Sequence, residues 1–358
     1  MDILLSLPIA SFFFSSSLTS WSTSLNLLFF YMTWSTLILS HSPLKIELIG
    51  TTALRIVFWL MPSLFFLLFD TLIPSLAENL KYNGASSLPP RDARSLSRLL
   101  GLAILNLATE TAFEAGVSLG LASLLGTPVF RTTTTLPLPW QMAKHIALLF
   151  TAREILTYYI HRFLLHAQAP SRSPTSWLSS KSRSNKPLPG SQRLAALHTR
   201  FAHASPGAAP FSLLLTADHP ATFLLHRFIP LYLPALALFP HLHLLTFFAF
   251  VGLATIEETL ALSGYTVIPG IIMGGITRRS ARHYARPASG NFGCWGVLDW
   301  VHGTTVGGDD VVGDVRDEAE KHRLRERADG AGGALQNGIQ GLRRSTRSRG
   351  RKSQGQSG

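Results

Sequence analysis

The sequence predicts an all-α fold: a multi-pass transmembrane helical bundle carrying a histidine-rich metal-site cap on its cytoplasmic face. Three observations predict it. Apolar residues make up 46% of the 358 positions and charged residues 15%, and the mean hydropathy is +0.23, unlike a soluble domain in which apolar and charged positions alternate. Apolar runs long enough to cross a hydrocarbon core, about 20 helical residues, recur along the chain. Thirteen histidines are present, and several sit just beyond those runs.

The runs fall at residues 23–40, 51–77, 99–125 and 140–160, followed by a pair at 210–238 and 242–262 that "FPHLH" separates. Pro230, Pro234 and Pro240 in this pair predict broken helices or a hairpin that dips into the bilayer and returns. The opening "MDILLSLPIASFFFSSS" has the short apolar stretch of a secretory signal but Asp2 in place of a basic leader, so it reads as an interfacial or first inserted segment.

Loop charge sets the orientation, because Lys and Arg near membrane ends stay on the cytoplasmic side. Lys81, Arg91, Arg94 and Arg98 follow the second run, Arg131 alone follows the third, and Arg172, Lys181, Arg183, Lys186, Arg193 and Arg200 follow the fourth. Arg278, Arg279, Arg282 and Arg286 follow the last pair. If the pair returns to the face it left, all the basic-rich loops share the cytoplasmic face with the histidines. Two segments read as unstructured: "PSRSPTSWLSSKSRSNKPLPGSQ", rich in Ser, Pro and basic residues, and the charged, Gly-rich tail from Asp309 onward. The basic end of that tail suits weak attraction to an anionic membrane surface or simple solvation.

Composition also excludes. The excess of 32 Lys and Arg over 20 Asp and Glu is confined to loops and tail, which argues against a nucleic-acid partner. One cysteine, Cys294, rules out a disulfide framework and any cysteine-based metal cluster, leaving histidine and carboxylate as metal ligands; it reads as a small apolar filler beside Trp295. No Gly-rich dinucleotide fingerprint occurs, so electrons are expected from a partner protein.

"YYIHRFLLH" places His161 and His166 five residues apart at the end of a helix, displaced by about 140° around its axis. They converge on one metal only if the helix end is distorted, or else two metals sit side by side. "HTRFAH" repeats the spacing at His198 and His203. Imidazole suits iron, copper and zinc, and imidazole with carboxylate and open positions suits oxygen chemistry on iron. Glu257 and Glu258, two acids in an apolar run, read either as carboxylate ligands or as partners of Arg227 or Arg278. Glu110 and Glu114, one turn apart, read as an interhelical packing contact ahead of a proton path. His226, His241, His243 and His302 lack a partner at the repeated spacing and read as interfacial or core residues.

The succession "YYIHRFLLH", "LHTRFAH", "DHP", "SGY", "RHY", "GNFG" and "GVLDWVHGT" resembles the fatty acid hydroxylase and sterol desaturase superfamily, a membrane-embedded, non-haem di-iron group. The resemblance covers roughly residues 140–305 and rests on the order of the boxes. It implies a ligand set of His161, His166, His198, His203 and His283, with His219 added from the "HP" dipeptide, and two bound irons. The second and third boxes hold fewer histidines than the superfamily pattern, with Phe201, Ala202, Tyr284 and Ala285 near the expected positions, and Leu262 stands before "SGY".

The implied organisation is membrane helices over residues 1–135, a hydroxylase-like domain over 136–306 and a charged tail over 307–358. The implied activity is an iron- and oxygen-dependent hydroxylation or desaturation of a sterol or fatty acyl lipid in the endoplasmic reticulum. Molecular oxygen would be the co-substrate and a haem or flavin protein at the cytoplasmic face the electron donor. The depleted boxes equally suit a catalytically inactive lipid-binding or scaffold protein that keeps the fold.

Overall fold

The computed structural model describes residues 18–167, 190–204, 210–265, 271–286 and 289–308, with residues 313, 316 and 320. The sequence readings of the first 17 residues, of most of the Ser-rich loop and of the tail lie outside the described residues. Among those described, the chain is all-helical, and its only β pairings are two isolated bridges, Lys81 with Tyr265 and Arg131 with His243.

The helices are α1 (Leu18–Ser40), α2 (Pro43–Leu72), the short α3 (Pro74–Leu80), α4 (Ala93–Leu125) and α5 (Pro139–Ile160). They continue as α6 (Gly190–Phe201), α7 (residues 220–237), α8 (Leu244–Ala261), α9 (Ile271–Ala285) and α10 (Val297–Val301). Local chemistry sets their ends. Asp92 caps α4 by accepting from the amides of Arg94 and Ser95, and Gly126, at φ 69°, ends the helix in the left-handed conformation that glycine adopts without strain. Proline opens α2, α5 and α7, where a missing amide proton costs nothing. The rings of His219 and His243 cap α7 and α8 by accepting from the amides of Ala221 and Leu245.

Three helices contain a turn of π geometry, at Ile56–Leu60 in α2, His161–Leu165 at the end of α5 and Leu224–Phe228 in α7. The expected break in the 210–238 run is therefore a wider turn in one helix together with Pro234 inside it, and residues 212–215 form a separate 3₁₀ turn.

Among the described residues two helices, Pro43–Leu72 and Leu244–Ala261, are long and apolar enough to cross a membrane. Residues 25–40 of α1 form a shorter apolar helix, and two other long runs carry internal charge: Glu110 and Glu114 in α4, and Lys144, Arg153 and Glu154 in α5. The core lies between α5, α7 and α8, where Phe130 stacks on Phe247 at 4.2 Å between ring centroids and both pack edge-on to Tyr232. Outside it, Phe29, Leu39, Phe65, Leu72, Leu124 and Trp140 are exposed.

The polar groups of α4 face inward. Arg55 of α2 bridges Glu110 at 3.1 Å and Glu114 at 2.8 Å, so the interhelical contact expected of these two acids is present, with a partner in α2 that the sequence reading did not name.

Candidate metal centre

Six buried imidazoles meet at one end of the bundle: His161, His166, His198, His203, His226 and His283. The first two converge because the helix end is distorted. The His166 amide donates to the His161 carbonyl at 2.9 Å, an i to i+5 bond that widens the turn and brings the rings to 4.8 Å. His198 and His203 converge by a different route. The last α6 bond runs from Ala202 to the His198 carbonyl; the chain then turns, and His203 folds back to 4.9 Å from His198.

His161, His166, His203 and His283 present ligand atoms within 4.8 Å of one another, a buried group that can hold a metal ion. His226 stands 4.3 Å from His161 and 5.8 Å from His198 between centroids, so its reading as an isolated core residue is corrected. The signal was in the sequence: "HRF" occurs at both 161–163 and 226–228, and each copy lies in a π turn.

The hydrogen-bond pattern is that of metal ligands, whose second nitrogen is held by a carbonyl or carboxylate. His161 Nδ1 donates to the Phe292 carbonyl at 2.8 Å, His283 Nδ1 to the Gly290 carbonyl at 2.8 Å, and His198 Nδ1 faces the Asp218 carboxylate at 2.8 Å. Nε2 of His161, His198, His203 and His226 is buried without a hydrogen-bond partner. The Nε2 atoms of His166 and His283 face each other at 3.2 Å. Since His283 carries its proton on Nδ1, the lone pair of its Nε2 points at His166. A cation held by His161, His166, His203 and His283 would satisfy the lone pairs of that group, whereas buried lone pairs left alone are costly.

Burial, reinforced by the neighbouring rings, holds the imidazoles in the neutral form that ligates: His166 is pushed down to about 2 and His283 to about 4, and His161 and His203 are lowered too.

The frame behind the rings is the "GNFG" turn and the segment after it. The Asp299 carboxylate accepts from the amides of Phe292 at 2.9 Å and Gly293 at 2.7 Å and from the Thr304 hydroxyl at 2.7 Å. Asn291, at φ 56°, exchanges two bonds with the backbone of Val306. Together these aim the carbonyls of residues 290 and 292 at His283 and His161. Gly293 is required by close approach, since a Cβ there would lie 2.7 Å from Glu154 Oε1 and 3.2 Å from Asp299 Oδ2.

The structure does not bring the remaining candidates to the group. His219 is half-buried, caps α7 and packs on Phe201; its neighbour Asp218 is the residue that reaches the centre, by holding His198. Glu257 pairs with Arg153 at 3.2 Å, and Glu258 with both Arg153 and Arg227 at 2.9 Å. Their charge is neutralised by guanidinium, the second of the two readings open in the sequence, with Arg153 in place of Arg278. Glu258 still lines the histidine cavity. Cys294 is a donor, not an apolar filler: its Sγ lies 3.1 Å from Glu257. His243 is a buried core residue packed on Trp34, whereas His302 is exposed and stacks on Tyr158.

The histidine cavity holds about 50 Å³, room for ions and water but not for an organic molecule. Beside it lies a cavity of about 480 Å³ lined by Leu88, Leu99, Phe201, Phe211 and Tyr284, with Arg98 at its edge. Tyr284 lines both cavities, and its ring is 4.8 Å from His203. No family model matches the chain, and no solved structure matches it.

Proposed function

We propose that the protein is a membrane-bound, iron- and oxygen-dependent oxidase of lipid C–H bonds, a divergent relative of the fatty acid hydroxylase and sterol desaturase superfamily. The observation that carries this reading is the set of six buried imidazoles, three of which, His161, His198 and His283, have their far nitrogen held by a carbonyl or carboxylate. The rings form one continuous cluster in which His161 stands 4.3 Å from His226, 4.5 Å from His283 and 4.8 Å from His166, and His198 stands 4.9 Å from His203. Three imidazoles for each of two irons leave open positions, and His226 makes up for part of what the boxes lack.

Bound iron would supply oxygen activation at these positions. The protein's own residues do the rest: the Asp299 frame fixes ring orientation, burial keeps the imidazoles neutral, and Tyr284 separates the ligands from an apolar cavity within the size range of small-molecule sites, about 300–1,000 Å³. That cavity suits an acyl or sterol body. The exposed apolar surface and the two span-length helices support a bundle seated in a bilayer. Arg98, Arg162, Arg200 and Arg282 lie near the histidines or their neighbouring cavity, against Lys45, Arg131 and Lys144 toward the other end, and this excess supports a cytoplasmic centre. The endoplasmic reticulum, and an electron donor docking at that face, follow from this reading. The test is lipid oxidation by iron-loaded protein in vesicles supplied with oxygen and a reductant: hydroxylated or desaturated lipid supports the reading, and its absence with full iron occupancy favours a scaffold.

A further inference from the structure

A polar column runs through the interior away from the imidazoles. On α4, Asn106, Glu110, Glu114 and Ser118 recur at every fourth residue and are all buried on a helix that otherwise exposes Leu105, Phe113, Leu119 and Leu124. On α2, Glu47, Thr51 and Arg55 form a matching buried stripe. Ser118 and Tyr232 both donate to Glu47 Oε1, at 2.5 and 2.8 Å, and Arg55 takes Glu114 and Glu110.

The column opens at both ends. Glu47 and Ser118 line a cavity with Ser42, Pro43 and Gly126 at the far end of the bundle. Arg55 and Glu110 line a second with Arg227 and Glu258, and those last two also line the histidine cavity. Asn106 donates to the backbone carbonyls of Thr216 and Asp218, and Asp218 holds His198.

Charge decides what the column holds. Near the imidazoles, Arg153 and Arg227 pair with Glu257 and Glu258, and the buried carboxyls of Glu154 and Asp299 accept from backbone amides. Farther in, Glu47, Glu110 and Glu114 face Arg55 alone; Tyr232, Ser118, Thr51 and Thr111 around them are neutral, and Arg227 across the cavity is already paired. Three ionised carboxylates would leave two uncompensated negative charges in an apolar interior, which is far costlier than protonation. Glu114 Oε1 is buried without a hydrogen-bond partner.

We propose that Glu47, Glu110 and Glu114 hold two protons at neutral pH and form a proton reservoir, filled from the far end of the bundle and joined to the imidazole centre by the cavity between Arg55 and Glu258. Its use by the centre rests on the oxidation proposed above, since reduction of oxygen by delivered electrons consumes protons; its existence does not.

Infrared spectroscopy of the full chain in detergent, without added metal, tests it. A protonated-carboxyl carbonyl band is expected at pH 7, shifting on transfer to deuterated buffer. Glu47→Gln, Glu110→Gln and Glu114→Gln should each halve it, because two carboxyls facing Arg55 need one proton. Circular dichroism confirms the fold of each variant, and any one folded variant suffices. No band at pH 7, a band unchanged in every folded variant, or a band that never shifts in deuterated buffer overturns the proposal.

Discussion

The His166 amide donates to the His161 carbonyl at 2.9 Å, and this one bond lets two histidines five apart share a site. In an α-helix they would point about 140° apart. The π turn converts the spacing into a chelating pair, a use of local irregularity common at functional sites. Deleting one residue between them, Phe163 or Leu164, restores α geometry with the histidines four apart, about 40° around the axis, and should therefore keep the pair on one face and retain metal, with helix content unchanged by circular dichroism. Metal lost from a deletion variant that keeps its helix content would show that the turn does not set the pair.

His226 belongs to the centre, 4.3 Å from His161. His226→Ala should therefore lower bound metal as His161→Ala does, whereas His241→Ala, outside the group, should leave it intact. Metal analysis of the three purified variants decides between ligand and core histidine.

Asp299 touches no imidazole, yet it fixes the turn that aims two carbonyls at them. Asp299→Ala should weaken metal affinity about 10- to 100-fold, the usual cost of losing a ligand's support. It should also destabilise the fold by about 1–3 kcal/mol, because the amides of Phe292 and Gly293 lose their acceptor. Competition with a chelator and denaturant titration measure the two effects separately.

Arg153 holds two acids at once. Arg153→Gln should cost about 3–5 kcal/mol by leaving buried carboxylates with fewer partners. The double change Glu257→Gln and Glu258→Gln should keep full metal occupancy; a loss of metal without unfolding would restore the glutamates as ligands.

Acid should act on the centre with a definite sign. His166 and His283 are depressed to about 2 and about 4 in the folded protein, and His161 and His203 are lowered too, against about 6.5 in an unfolded chain. The unfolded chain therefore binds more protons below about pH 6.5, so the stability these rings contribute is complete above that pH and falls progressively toward pH 4. Thermal melts of the metal-free protein between pH 7.5 and 4.5 should show the midpoint falling; a flat midpoint contradicts the neutral cluster.

The sequence made the helical class legible through its long apolar runs, and five of the six imidazoles through their boxes. It did not reveal which helices bend. His226 was overlooked because a spacing rule looks along the chain, and this histidine reaches the site from α7 on its own, carried by a π turn whose only trace is the second "HRF". The fate of Glu257 and Glu258 turned on Arg153, 104 residues away from Glu257 in the chain, and long-range ion pairing leaves no local pattern. His219 was drawn in by its motif, while the adjacent Asp218 does the work at the site.

Metal per chain tests the central claim most directly. The full-length protein, purified in detergent and reconstituted anaerobically with ferrous iron, should retain about two irons per chain after desalting, the number expected for six imidazoles shared between octahedral ions with open positions. His161→Ala treated in parallel should retain one or none. A folded wild-type protein that emerges without iron, or a His161→Ala variant that keeps as much as wild type, would contradict the account.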